Sequence, residues 1–117
     1  MSVVEPIVVS ERVAGPAAEV TLVVPNDLDY FRGHFPDVPV VPGVVQIKWA
    51  LLLARRYLGV AGAFTGMEAL KFQKVMRPGS RVTLALEYGV DKGKLRFSFD
   101  SEQGRHSSGR LLLRATP

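Results

Sequence analysis

Pro42-Gly43-Val44-Val45-Gln46-Ile47-Lys48-Trp49-Ala50-Leu51-Leu52-Leu53-Ala54-Arg55-Arg56-Tyr57-Leu58-Gly59 is the stretch that decides the fold. The run from Val44 to Leu58 is dense in helix formers, and it closes on Gly59, where a helix commonly ends in a left-handed residue. Arg55 and Arg56 lie in its last turns and complement the negative end of the helix dipole. About 15 residues at 1.5 Å each make a helix roughly 22 Å long. From Val44 to Ala54 only Gln46 and Lys48 are polar, so the helix is expected to be apolar on nearly every side and buried. Lys48 then needs a partner, an exit to solvent or a lowered pKa, because desolvating an ammonium is costly. It could instead face the end of a pocket or a subunit boundary.

Upstream of the helix, Phe31-Arg32-Gly33-His34-Phe35-Pro36-Asp37-Val38-Pro39-Val40-Val41-Pro42-Gly43 contains three prolines and two glycines. The prolines fix the backbone, so this loop is rigid and aims one histidine, His34, at the helix start. Unpaired N–H groups at such a terminus can receive a carbonyl oxygen that gains negative charge, and a neutral His beside them can remove a proton. Further out, Ile7 to Ala14 and Glu19 to Val24 alternate as strands around the turn-prone Gly15-Pro16. Beyond the helix, a loop from Gly62 to Gly66 precedes a strand from Glu68 to Val75, which is stopped by Arg77-Pro78-Gly79. Strict alternation marks Arg81 to Gly89 and Lys94 to Asp100, joined by Asp91-Lys92-Gly93, and a last strand spans Arg105 to Arg114. One helix among about six strands makes an α+β domain, an antiparallel sheet curled around the helix.

The 117 residues suit one domain, 47% hydrophobic and 22% charged, with no apolar run of the roughly 18 residues that a membrane span requires. Cysteine is absent, which excludes disulfides and Cys-based zinc sites. His34 and His106 stand far apart with no ligand cluster nearby, so no metal site is expected. The N-terminus has no basic segment followed by an apolar stretch, which favours a cytoplasmic location. Net charge is +4, yet the basic residues are scattered and no nucleic-acid motif appears. An acidic protein or an anionic substrate is the better match.

The residues His34-Phe35-Pro36, Pro39 and Pro42-Gly43-Val44, followed by the helix, resemble the hot-dog-fold 3-hydroxyacyl-[acyl-carrier-protein] dehydratases of type II fatty acid synthesis. Lys71-Phe72, Val75 and Pro78-Gly79 resemble that family's third strand and turn, so the likeness covers roughly residues 20 to 115. The wording Pro42-Gly43-Val44-Val45-Gln46-Ile47-Lys48-Trp49-Ala50 is similar to the branch associated with aryl polyene pathways. The resemblance implies a single hot-dog domain over residues 1–117 and a lyase that works without a cofactor. Its substrate is an acyl thioester carried on the phosphopantetheine of acyl carrier protein. It also implies that His34 takes the α-proton while the Gly43 N–H stabilises the enolate-like oxygen. Phe35, Val41, Pro42, Trp49 and Phe72 become candidate substrate-binding residues, although aromatic residues at such positions are also ordinary core.

The family's carboxylate lies fourteen positions after the histidine, where this chain has Lys48. Three functional readings stand beside the plain one in which Lys48 reaches solvent. An ammonium of lowered pKa protonates the leaving hydroxyl; or Asp37, Glu68 or another subunit supplies the acid; or dehydration is lost and only binding of acyl carrier protein or an active partner survives. A hot-dog thioesterase is a further alternative, against which the proline-rich loop argues. An exposed sheet edge favours dimerisation. In the resembling family each site is built between two protomers, so a homodimer, or a hetero-oligomer with a related hot-dog subunit, is expected. Arg32, Arg55, Arg56, Lys71, Lys74 and Arg77 are candidate contacts to an acidic carrier protein, and His106, between polar neighbours, is expected to be exposed.

Overall fold

A computed structural model describes residues 2–31 and 39–114. The elements follow one another as β1 (Ile7–Ala14), β2 (Ala17–Val23), a single 3-10 turn (Asp29–Phe31), α1 (Gly43–Leu58), β3 (Ala63–Phe72), β4 (Arg81–Gly89), β5 (Lys94–Ser101) and β6 (Gly104–Arg114). Every strand pairs antiparallel with its neighbours in one sheet of order β1-β2-β4-β5-β6-β3.

Alternation decides which face of the sheet meets the helix. Ala18, Val20 and Leu22 of β2, Val82, Leu84 and Leu86 of β4, Leu95, Phe97 and Phe99 of β5, and Leu111 and Leu113 of β6 are all buried. They form one cluster with Val45, Ile47, Trp49, Ala50, Leu53 and Ala54 of α1, the hot-dog arrangement of a sheet wrapped on one helix. Each large apolar side chain in this layer contributes about 1.5–3 kcal/mol through burial. Phe97 and Phe99 add an edge-to-face contact, with ring centroids 6.0 Å apart. Gly59 ends α1 in the left-handed conformation at φ 62°, as the sequence indicates.

The helix is not buried on every side, which corrects the expectation drawn from its composition. The sheet covers one flank, and Val44, Lys48, Arg55 and Arg56 are exposed on the other, with Leu51 and Leu52 half-buried between them. The strand expected over residues 68–75 is corrected too. β3 occupies Ala63–Phe72, including most of the expected loop, and ends before Val75.

Extra residues shape the sheet edges. Glu68 and Lys71 of β3 pair with Arg110 and Ser108 of β6, so three steps on one strand match two on the other. Ala69 sits in this bulge at φ 55°. The inserted residue reverses the phase of the strand: Glu68 faces outward, while Leu70 and Phe72 face inward. A second extra residue in β3 lies between Phe64 and Gly66, β1 has one between Val8 and Ser10, and β6 has one where Phe99 and Asp100 face Ser107 and Arg105. In β6 that additional residue is His106.

Candidate active site at the start of the helix

Pro42 precedes α1 in an extended conformation, φ −59° and ψ 149°, and has no side-chain oxygen to cap the helix. Its carbonyl accepts the N–H groups of Val45 and Gln46 at 3.0 and 3.1 Å. The N–H groups of Gly43 and Val44 therefore have no acceptor within the helix. Phe72 lies directly on the first of these residues: a Cβ placed on Gly43 would fall 2.7 Å from Cζ and 2.8 Å from Cε1 of the ring. A larger residue than glycine would push the Phe72 ring aside. Half of Phe72 remains exposed, as do much of Val44 and Val75, so the helix start has an open apolar rim.

Val41 is anchored behind this rim. It is buried, its N–H donates to the Met76 carbonyl at 2.8 Å, and its carbonyl accepts Nε2 of Gln46 at 3.1 Å. Gln46 is buried as well, and its Oε1 accepts the Ser107 hydroxyl at 2.6 Å. His106 is 1% exposed, which corrects the exposed position expected for it. Its bulged place in β6 puts it under residues 73–76, with Nδ1 3.0 Å from the Val75 carbonyl and Nε2 2.6 Å from the Ser101 hydroxyl. Polar neighbours in the sequence could not signal this, because the bulge turns both His106 and Ser107 into covered space.

His34 and Phe35 lie outside the described residues, together with Arg32 and Asp37. Gly43, Pro42, Val41 and Phe72 are brought together at the helix start. Lys48 stands five residues further on, roughly 7–8 Å along the axis. Its side chain is exposed in the single chain, and none of the ion pairs among the described residues includes it. Trp49 belongs to the core: it is 2% exposed and its indole N–H donates to the Val4 carbonyl at 2.9 Å.

Glu68 does not qualify as an acid for this site. It points to the outer side of the sheet and meets Lys94 at 2.8 Å and Arg110 at 2.9 Å. Hydrogen bonds from Lys94 first and Arg110 second hold its carboxyl below the usual carboxylate range, so it carries no proton to give at neutral pH. Several basic candidates are also engaged elsewhere. Arg55 donates to the Val60 and Gly62 carbonyls beyond the helix end, Arg56 pairs with Glu5 at 3.1 Å, and Lys74 donates to the Gln103 carbonyl. Lys71 and Arg77 are exposed and take part in none of the ion pairs among the described residues.

An open groove of about 650 Å³ crosses the outer side of the sheet over Ala85, Ser98 and Ser108. It is separated from the helix start by the sheet itself. Among the described residues no group of three or more His, Cys, Asp or Glu is placed to hold a metal ion, and no helix is long and apolar enough to cross a membrane.

The family model described as ApeI dehydratase matches residues 10–110 of this chain. A chain of the dehydratase heterocomplex ApeI:P from Xenorhabdus doucetiae is 34% identical, with a TM-score of 0.88 over 95% of this chain and 99% of that one. An uncharacterized protein from Erwinia carotovora subsp. atroseptica is 30% identical, with a TM-score of 0.81 over 93% and 95% of the two chains. The 3-hydroxyacyl-[acyl-carrier-protein] dehydratase FabZ of Thermoanaerobacter sp. (strain X514) is 37% identical over 73 residues, which are 56% of this chain and 50% of that protein. The chain thus spans about half the length of the first curated relatives it matches.

Proposed function

Because the chain belongs to the ApeI-like dehydratase family, we propose that it removes water from a 3-hydroxyacyl thioester on acyl carrier protein, giving the trans-2-enoyl thioester in fatty acid or polyene synthesis. The observation that carries this reading is the uncapped start of α1, where the Gly43 and Val44 N–H groups lack helical acceptors beside the Phe72 ring. In the reaction His34 takes the proton from the α-carbon, and the electron pair forms the double bond as the β-carbon–oxygen bond breaks. The thioester oxygen gains negative charge in passing and is stabilised by the Gly43 N–H. The hydroxide leaves as water after receiving a proton. Pro42 and Phe72 wall the acyl chain near the thioester, Phe35 adds a further contact from the loop, and Val41 and Trp49 back the site from within. No cofactor enters the balance. A cytoplasmic location is part of the same proposal.

The source of that last proton depends on assembly. Lys48 projects from the uncovered side of α1, beside half-buried Leu51 and Leu52. A two-fold or pseudo-two-fold partner covering this side would bring Lys48 to a subunit boundary. In a homodimer the ammonium faces His34 of the other copy and favours its neutral form. In a hetero-oligomer a related hot-dog subunit supplies the carboxylate, an option supported by the similar chain's place in the ApeI:P dehydratase heterocomplex. Lys48 also favours a second reading, a non-catalytic subunit that binds acyl carrier protein or supports an active partner.

Mass spectrometry of 3-hydroxyacyl-acyl carrier protein tests the proposal. Wild type should remove one water, His34→Ala should abolish the loss, and Lys48→Glu should preserve or raise it. Retained carrier binding with no water loss by wild type, across several chain lengths, would favour the non-catalytic subunit. Release of a free carrier thiol would indicate a thioesterase.

A further inference from the structure

Val41 precedes Gly43, the first residue of α1, by two positions, so a shift at Val41 is passed to the helix start and its free N–H groups. Both of its backbone polar groups are held, and the bonds that hold them close into one ring. From the Val41 carbonyl the path runs to Nε2 of Gln46 at 3.1 Å, and from Oε1 of Gln46 to the Ser107 hydroxyl at 2.6 Å. It crosses one peptide to His106, whose Nδ1 lies 3.0 Å from the Val75 carbonyl. One more peptide leads to Met76, whose carbonyl accepts the Val41 N–H at 2.8 Å.

The direction of each bond in the ring is fixed by its neighbours. A carbonyl only accepts, so Nδ1 of His106 carries a proton and donates it to Val75, while Nε2 lies 2.6 Å from the Ser101 hydroxyl, whose oxygen accepts the Gln103 N–H at 3.2 Å. The Gln46 amide has one workable orientation as well, because the reverse would set two acceptors face to face at Val41. The bulge at His106 permits the circuit by bringing two consecutive residues of β6 into covered space, Ser107 bonded to Gln46 of α1 and His106 to the Val75 carbonyl. Stability alone does not call for such a ring, since paired apolar side chains of similar shape fill a core at comparable free energy. What the polar ring supplies is a single orientation.

We propose that this ring is a positioning device, with Gln46, Ser107 and His106 as positioning residues that fix the Val41–Gly43 segment, and with it the Gly43 N–H, at the start of α1. Its structural part stands on the hydrogen bonds above; its catalytic consequence rests on the dehydratase reading.

Three variants test it: Gln46→Leu, Ser107→Ala, and the double variant, which removes both partners and avoids a stranded polar group. The first readout is amide hydrogen exchange of the Val41 N–H, on the far side of the ring from the cut, relative to the Leu84 N–H in the central strand. Each variant should speed Val41 exchange about tenfold more than that of Leu84, and Ser107→Thr, which keeps the hydroxyl, should restore it. The second readout is turnover, in which kcat should fall about tenfold with KM within about twofold, as expected for misplacement on the ångström scale. The double variant should lose no more kcat than the worse single, because the residues act as one unit. Val41 exchange that merely follows Leu84, or kcat unchanged in all three, would overturn the proposal. A wild-type protein without turnover would refute the dehydratase reading alone, and the exchange result would still decide whether the ring positions Val41.

Discussion

Replacing Gly43 with alanine puts the contact between the helix start and β3 to a quantitative test. The added methyl would sit 2.7 Å from Cζ of Phe72, whereas ordinary carbon contacts begin near 3.4 Å, so the ring must withdraw by about 0.7 Å. Overpacking of this kind costs about 1–3 kcal/mol, and the half-exposed ring places the cost in the lower part of that range. Alanine offsets up to about 1 kcal/mol through its better helix propensity. The net loss in Gly43→Ala should therefore be small, about 0–1 kcal/mol. The informative quantity is the coupling. In a Phe72→Ala background the clash is gone and Gly43→Ala should become neutral or stabilising, giving an interaction energy of about 1–2 kcal/mol in the double-mutant cycle. Urea denaturation followed by fluorescence is the assay, since Trp49 is the sole tryptophan and is buried. Equal effects of Gly43→Ala in both backgrounds, within about 0.3 kcal/mol, would refute the reasoning that the Phe72 ring crowds a side chain there.

Gly109→Ala would place a methyl 2.7 Å from Cδ2 of Leu70 and 3.2 Å from Cε1 of Phe97 inside the packed layer. A destabilisation of about 1–3 kcal/mol is expected, read as a lower urea midpoint at an unchanged slope, and Leu70→Ala should relieve part of it. Glu68 gives a pH signature. Lys94 and Arg110 lower its folded-state pKa, so its stabilisation is present above the ordinary carboxylate value and is lost as pH falls through the lowered one. Glu68→Gln should therefore melt at a lower temperature than wild type at neutral pH, and the difference should shrink in acid; a constant difference would contradict the assignment.

Where local chemistry and tertiary environment agree, the elements are legible in the sequence. β1, β4 and the end of α1 at Leu58 fall where alternation, helix propensity and Gly59 place them. β3 was obscured because its bulges break the period of two twice, and its exposed apolar residues Phe64 and Met67 lack the contrast that alternation needs. The helix reading overshot for a related reason: composition reports how apolar a segment is, and the sheet decides how many of its sides are covered. At the site, the Pro42-Gly43 step and the downstream Phe72 were readable as candidates. Their direct contact depends on the phase reversal at Ala69 and has no counterpart in sequence spacing. Gln46 stood out as a polar residue in an apolar helix, while its partners Ser107 and His106 were concealed by the bulge in β6.

The inserted residues in β1 and β3 also bear on how the protein survives at high concentration. Both outermost strands of the sheet have interrupted ladders, β1 near Val9 and β3 at two places. A straight foreign strand laid along either margin would lose hydrogen-bond registry within a few residues, so stacking without limit into fibrils is blocked at both margins. Only a strand with a matching irregularity can pair along the full length of β3. The same kinks that bring Phe72 to the helix thus guard the exposed margin of the sheet.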